Sequence, residues 1–466
     1  MAEEKKHPLK LTRRQFLIVG GQSAAALALL ASCGGGAKPA PSEGGGEEEP
    51  EAAPLTLQFL AWGDNADIPA WEEFKATYEE MNPNVTVKLT IVSDPGNNFY
   101  PKLQTMVAGG TPPDVSSFQG WEWQTYADKG LLAPVDDYIA RDNFTDPYPE
   151  GVTSIEQSTV RDGKTYLIPM QIGTMVMFYA KQPFDEAGMD YPTDDWTMDE
   201  FIEMAQQLTD TSGDFKKFGL QANGSWFRDI GYIRGTGKQE FDTLIDPKKV
   251  QFTQPEIVDM LQLVAYDVYH ELQISPTPAD LEGGSNTIET GNSAMKYEGP
   301  WYFPKLDSPE LREEGKAVDF DVVMMPEAAD PARPHRGWAE GVMLMEGDNK
   351  DAAWGFVSYI AGEEGDKRYS EITGRIPNSF KLLEDYWLPM IKERFGVENG
   401  QAFVEAIQRS EVDVIGGVPR SQMWSEVVKP FGYDPMMNGS QTAEEALPKV
   451  ETELQKLIDE YWASQG

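Results

Sequence analysis

Residues 55–92, LTLQFLAWGDNADIPAWEEFKATYEEMNPNVTVKLTIV, decide the fold class. Leu55-Thr56-Leu57-Gln58-Phe59-Leu60 alternates as a strand does. Ile68, Trp71, Phe74, Tyr78 and Met81 then recur at spacings of three and four, an apolar helix face that Pro83 terminates. Val85, Val87, Leu89 and Ile91 alternate again. Strand, helix and strand with short joins make a βαβ unit, which implies a parallel sheet and an α/β fold.

The chain downstream continues in the same idiom. A second helix carries Phe99, Leu103, Met106 and Val107 and stops at Gly109-Gly110. A short segment around Asp114-Val115 is expected to return to the sheet. Thr197-Met198-Asp199-Glu200 is a capping box opening a helix with Phe201, Ile202, Ala205 and Leu208 inward. Thr442-Ala443-Glu444-Glu445 opens a last helix carrying Leu447, Val450, Leu454, Leu457 and Ile458, with Pro448 in its first turns. About 410 ordered residues exceed what one core usually serves, so two α/β lobes are expected.

Upstream lies an export signal. Thr12-Arg13-Arg14-Gln15-Phe16-Leu17 pairs a twin arginine with an apolar stretch to Ala31, too weakly apolar for a stable span. It ends in Leu30-Ala31-Ser32-Cys33, which resembles a bacterial lipobox. On that reading residues 1–32 are removed, and acyl chains on Cys33 hold the exported protein at the outer face of the cell membrane. Residues 33–54, rich in Gly, Pro, Ala and Glu, form a flexible linker reaching about 25 Å.

Composition excludes several functions. Lys and Arg total 39 against 77 Asp and Glu, a formal net charge of −38. Such a surface cannot neutralise phosphates broadly, so no nucleic-acid partner is expected. One Cys allows no disulfide framework, and three His leave little for a metal site. With no glycine-rich phosphate loop after a strand and no EF-hand spacing, neither cofactor nor metal is called for.

Six blocks in order carry a resemblance. They are Ala61-Trp62-Gly63; Met106–Val115 with Gly130–Val135; Gly163–Pro169 leading to Phe178-Tyr179; Trp196–Phe201; Gly291–Met295 with Gly299-Pro300-Trp301; and Ala352–Ile360 with Gly374-Arg375-Ile376-Pro377. Together they resemble the extracellular solute-binding proteins of ATP-binding-cassette importers, in the sugar-binding group that includes maltose-binding protein. The family often has Tyr-Asn where this chain has Tyr179-Ala180. The resemblance implies a two-lobed, periplasmic-binding-protein-like fold with a hinge and a ligand cleft. One lobe would hold 55–170 and 320–362, the other 171–319 and 363–466. A monomer would close on a carbohydrate, a di- or oligosaccharide, and offer it to a membrane permease.

A sugar presents apolar C–H faces and a ring of hydroxyls, so its site wants aromatic plates and hydrogen-bonding side chains. Of twelve Trp, Trp301 in Glu298-Gly299-Pro300-Trp301 best matches the family's stacking tryptophan. Trp226 and Phe227 follow Phe218-Gly219-Leu220-Gln221, and Trp424 follows Pro419-Arg420-Ser421-Gln422-Met423. Trp62 ends the first strand, at the sheet edge where open α/β folds gather ligands. Of Trp121 and Trp123, one is expected to line the cleft and one to pack, and Trp338 to sit at the cleft mouth. Maltose-binding protein places charged hydrogen-bonding residues at the positions of Trp121 and Glu122, and this departure from it implies a different sugar. Polar candidates are Asp64, Asn65, Gln119, Glu122, Gln171 and Arg375. For Arg375 the structural reading is a salt bridge holding the turn. Trp71, Trp196, Trp354 and Trp462 read as packing.

Rival readings are a binding protein for a polyamine or other cation, through carboxylates and Trp; an extracellular glycoside hydrolase; and a lipid-anchored structural protein. Carboxylates converging in the cleft would favour the first. No catalytic signature supports the second, and His270 and His335 have no Ser or Cys context for a triad.

Overall fold

The βαβ unit forms as its periodicity predicts. In the computed structural model, which describes residues 53–93, 98–144, 152–213, 216–330, 332 and 334–465, strands β1 (Leu55–Trp62) and β2 (Val85–Val92) pair in parallel along their length. Helix α1 (Ile68–Met81) connects them and ends at Asn82, before Pro83. The leader, Cys33 and nearly all of the linker lie outside the described residues. Among the described residues no helix is long and apolar enough to cross a membrane.

Alternation sorts the two faces of β1. Leu57, Phe59 and Ala61 pack with Trp71, Phe74 and Tyr78 of α1. Leu60 joins Leu103 of helix α2 (Tyr100–Ala108) in a second cluster. Strand β3 (Val115–Gln119) then pairs in parallel with β1, Phe59 opposite Val115, which is the return expected at Asp114-Val115. Strand β4 (Ile168–Gly173) closes this half of the chain.

After Gly173 the chain crosses to a second sheet made of β5 (Val176–Ala180), β6 (Phe218–Leu220), β7 (Ser293–Glu298) and β8 (Phe320–Val323), in the order β8-β5-β7-β6. Strand β5 is apolar on both faces. Val176 and Phe178 enter one core cluster, Met177 and Tyr179 the other, so its run shows no polar alternation. The chain then returns through β9 (His335–Leu344), which pairs antiparallel with both β3 and β4, and β10 (Ser410–Val412) adds to its end.

Helix α3 (Met198–Gln207) opens on the expected capping box. Thr197 N donates to Glu200 Oε2 at 2.7 Å, and Glu200 N donates to Thr197 Oγ1 at 3.2 Å. Helix α4 (Trp226–Arg234) follows β6. Helix α5 (Glu363–Thr373) lies on α1, with the Tyr369 ring 5.1 Å from that of Trp71. Helix α6 (Ala443–Gln465) buries Leu447, Val450, Leu454 and Ile458. Its Glu445 accepts the Thr442 N–H at 3.0 Å.

Strand pairing moves the lobe boundaries read from the sequence. Residues 171–173 remain in the first sheet on β9. Strand β8, from residue 320, is hydrogen-bonded to β5 in the second sheet. Helix α5, beyond residue 362, packs on the first sheet's α1. A strand's local pattern carries its face and not its partner, so the sheet a strand joins is decided by pairing across the fold.

Candidate functional site

Strand β9 holds a polar row where the two sheets meet. Its Glu340 stands opposite Gln119 of β3 on one side and Gln171 of β4 on the other. Gln171 Nε2 donates to Glu340 Oε2 at 2.6 Å, and Trp338 Nε1 to Oε1 at 2.8 Å. Gln119 Nε2 reaches the same Oε1 at 3.5 Å. Burial pushes the Glu340 carboxyl above its ordinary value, with Arg375 pulling the other way. Trp338 is 3% exposed, and its ring lies over the backbone of Gly173. A Cβ there would meet the ring at 2.0 Å, so only glycine leaves room for the indole.

Beside this row, guanidinium groups lie on the indoles. Arg336 stands 4.0 Å from the Trp338 ring centroid and 4.5 Å from that of Trp121. Arg420 stands 3.9 Å from the Trp121 centroid and 4.7 Å from that of Phe227. Both arginines share Asp413 Oδ2, Arg336 through Nε at 2.6 Å and Arg420 through Nη1. Burial would raise the Asp413 carboxyl, but Arg336, Arg420 and Arg234 outweigh it and hold it low. Arg336 Nη1 also donates to Phe227 O at 3.0 Å. The next residue along from Trp121 completes a clasp: Glu122 accepts the Ser421 N–H and Oγ–H, each at 3.1 Å. Burial pushes Glu122 up to about 7, with Arg420 and Ser421 pulling down.

From the second sheet comes the last turn of β7. Glu298 Oε2 accepts Trp301 Nε1 at 2.9 Å and pairs with Arg228. The Trp301 ring folds back over Gly299, where a Cβ would lie 2.2 Å from it. It faces Trp338 with centroids 5.8 Å apart, and Trp338 in turn meets Trp121 at 5.4 Å. Behind Arg420, Phe227 of α4 meets Trp424 at 5.2 Å.

At the other end, Trp62 terminates β1 under Arg375, whose guanidinium is 5.3 Å from the ring. Arg375 is 4% exposed and donates to both oxygens of Asp67, at 2.9 and 2.8 Å. Burial would raise Asp67, but Arg375 and the Tyr369 hydroxyl hold it below its ordinary value. Asp64 lies 3.7 Å from Arg375. The structural reading of Arg375 as a salt bridge is thus what the fold contains.

The fold brings together Trp62, Gln119, Trp121, Glu122, Gln171, Phe227, Trp301, Trp338, Arg375 and Trp424. Trp62, Phe227, Trp301 and Trp424 keep partly exposed rings. Trp121 and Trp338 are covered, so Trp338 is interior and does not sit at a mouth. Trp226 is fully buried against Phe241 and Phe252 and belongs to the second lobe's core. The first residue of α4 turns inward and the next outward, a distinction that adjacent positions in a sequence do not show. Trp123 packs, donating to Ser158 O at 2.9 Å. Asp64 and Asn65 are exposed. Trp71, Trp196 and Trp354 pack as expected, and Trp462 is half-buried, donating to Pro247 O.

Sequence reading did not single out Arg228, Glu298, Arg336, Glu340, Asp413 or Arg420. The signal for some was nearness, since Arg228 adjoins Phe227 and Arg336 and Glu340 each lie two residues from Trp338, while Asp413 had none. Among the described residues no group of His, Cys, Asp and Glu has the geometry of a metal site. A groove of about 400 Å³ lies elsewhere, where Arg161 is locked between Asp128 and Asp246. Chemically, the junction offers flat apolar rings and fixed hydrogen bonds, a surface for binding.

The family model described as "Bacterial extracellular solute-binding protein" matches residues 62–367. A Brucella abortus sequence named as a binding protein is 25% identical over 324 residues, covering 69% of this chain and 75% of that one. The arabinooligosaccharide-binding protein of Halalkalibacterium halodurans is 22% identical over 424 residues, covering 84% and 87%. Among solved structures, an ABC substrate-binding protein from Listeria monocytogenes in complex with cycloalternan superposes with a TM-score of 0.75 at 24% identity. That match covers 87% of this chain and 99% of the other and shows a shared fold.

Proposed function

This chain belongs to the bacterial extracellular solute-binding protein family, and on that premise we propose that it captures a carbohydrate between its two lobes and delivers it to the permease of an ATP-binding-cassette importer. The observation that carries the reading is the aromatic seam. Trp62 at the end of β1, Trp301 just beyond β7, Phe227 of α4 and Trp424 keep part-open rings, beside fixed polar groups. Flat apolar faces with hydrogen-bonding neighbours are what a pyranose ring requires. The relatives named for oligosaccharides agree with it.

Capture works by closure. Ligand held on rings from both lobes favours the closed arrangement, and a ligand with equal affinity for open and closed forms would shift nothing. The reading is capture without cleavage, in keeping with a family of solute-binding proteins. Export by the twin-arginine leader and acylation of Cys33 would keep the protein beside its permease at the outer face of the membrane.

A thermal-shift screen of the full-length chain against mono- and oligosaccharides, with polyamines and amino acids as controls, tests the proposal. Ligand at about 100 times its Kd stabilises the fold by about 2.7 kcal/mol. The expected result is a shift with one glycan class and no hydrolysis on long incubation. A shift with polyamines alone, or release of shorter sugars, would refute it.

A further inference from the structure

The hydrogen-bonding capacity at the junction is met unevenly. Every carboxylate in it is engaged. Glu340 receives Trp338, Gln171 and Gln119. Glu298 receives Arg228, Trp301 and the Gly299 N–H. Glu122 receives Ser421 twice. Asp413 takes Arg336, Arg420 and the Val414 N–H. The buried group left without a partner is a donor. Arg336, 4% exposed, uses Nε and Nη1, but its Nη2 is buried with no hydrogen-bond partner among the described residues. Arg420, 7% exposed, spends one N–H on the same Asp413 oxygen that Arg336 uses. Two cations therefore share one carboxylate oxygen, away from water, on the rings of Trp121 and Trp338.

We infer that the captured carbohydrate carries a carboxylate, a hexuronate-type acidic sugar, and that Arg336 and Arg420 receive it. The inference rests on the carbohydrate reading and narrows its substrate class. A buried cation without its full complement of acceptors is costly, and an anion repays that cost most completely. A guanidinium N–H makes a shorter and stronger hydrogen bond to a carboxylate than to an uncharged hydroxyl. Stacking on Trp121 and Trp338 fixes the fork before ligand arrives, so little freedom is lost on binding. Burial beside Arg420 draws the Arg336 guanidinium down to about 9 although Asp413 pulls the other way, the sign of a cation short of negative charge.

The formal charge of −38 is spread over a wet surface, where salt screens it within about 10 Å, and the junction keeps its own local field. Glu122 and Glu340 stand nearby, but each is engaged by donors, Glu122 by Ser421 and Glu340 by Trp338 and Gln171. A polyamine, in contrast, would meet carboxylates that already hold donors from the chain.

The test is calorimetric titration of the full-length chain with tri-galacturonate, tri-mannuronate and the neutral maltotriose, with spermidine as control. One of the uronates should bind at least about tenfold tighter than the neutral trisaccharide. That preference should shrink as salt rises from about 0.05 to about 0.5 M. Arg336→Gln and Arg420→Gln should each weaken uronate binding by about tenfold or more. If Arg336→Gln does not fold, Arg420→Gln and the wild-type selectivity still decide. Equal or tighter binding of maltotriose overturns the acidic-sugar inference and leaves carbohydrate capture standing. Binding of spermidine with neither glycan class overturns both. Uronate affinity unchanged in the folded variants overturns the assignment to these two arginines.

Discussion

Trp301, just beyond β7, and Trp338, in the middle of β9, place their ring centroids 5.8 Å apart at 47°, so an aromatic pair links the end of the second sheet to the first. Trp301 is the partner with an open face, anchored by its Nε1–H on Glu298. Trp301→Ala should therefore lower ligand affinity by about tenfold or more, a loss of about 1.4 kcal/mol. The fold should stay intact, since the ring is only half-buried. Titration calorimetry with the ligand from the thermal screen checks this, and unchanged affinity would take Trp301 out of the site.

Trp226 should behave in the opposite way. Fully buried between Phe241 and Phe252, it leaves a large cavity when truncated. Trp226→Ala is expected to cost about 3–5 kcal/mol of stability. Denaturant unfolding reads the loss, while the ranking of sugars bound by the folded fraction should not change.

Gly173→Ala probes the seat of Trp338. The added methyl would sit 2.0 Å from the indole, closer than atoms approach without bonding, and the strand pairing of β4 to β9 leaves the backbone little room to yield. The indole must move, and with it the hydrogen bond to Glu340 and the stacking of Arg336. Overpacking of this kind costs about 1–3 kcal/mol. Binding should weaken as well, and an unaltered ligand affinity would show that the Trp338 ring position is irrelevant to capture.

Glu122 gives the stability a pH dependence of definite sign. Its carboxyl is pushed up to about 7 in the fold by burial, against an ordinary value near 4.3 when unfolded. Between about pH 4.3 and 7 the folded chain thus holds a proton that the unfolded chain has released. This contribution is fully present below the unfolded value, declines as pH rises through that window and is gone above the folded value. Asp229, pushed to about 8 by burial, adds a decline of the same sign. Glu122→Gln should flatten part of the fall in urea midpoint across this window. Superimposable pH profiles for variant and wild type would exclude Glu122 as a source.

Much of the fold was legible because helix and strand periods are local. The face of α1, the alternation of β1 and β2 and the capping box at Thr197 each follow from neighbours within a few residues. The lobe assignment of residues 320–323 was not, since β8 looks alike whichever sheet it joins. Trp226 and Phe227 show the same limit in the site. They are adjacent and both aromatic, and only the orientation of α4 sends one into the core and the other toward Arg420.

The sequence by itself determined the α/β class, the family and an aromatic seam with Trp301 in it, because apolar periodicity and ordered motifs are written along the chain. Tertiary structure alone decided which charges meet. Arg336 and Arg420 lie far apart in sequence yet share Asp413 Oδ2, and Arg375 finds Asp67 across some three hundred residues. Ion pairing depends on distance in space and on exclusion of water, and neither is defined until the sheets have come together.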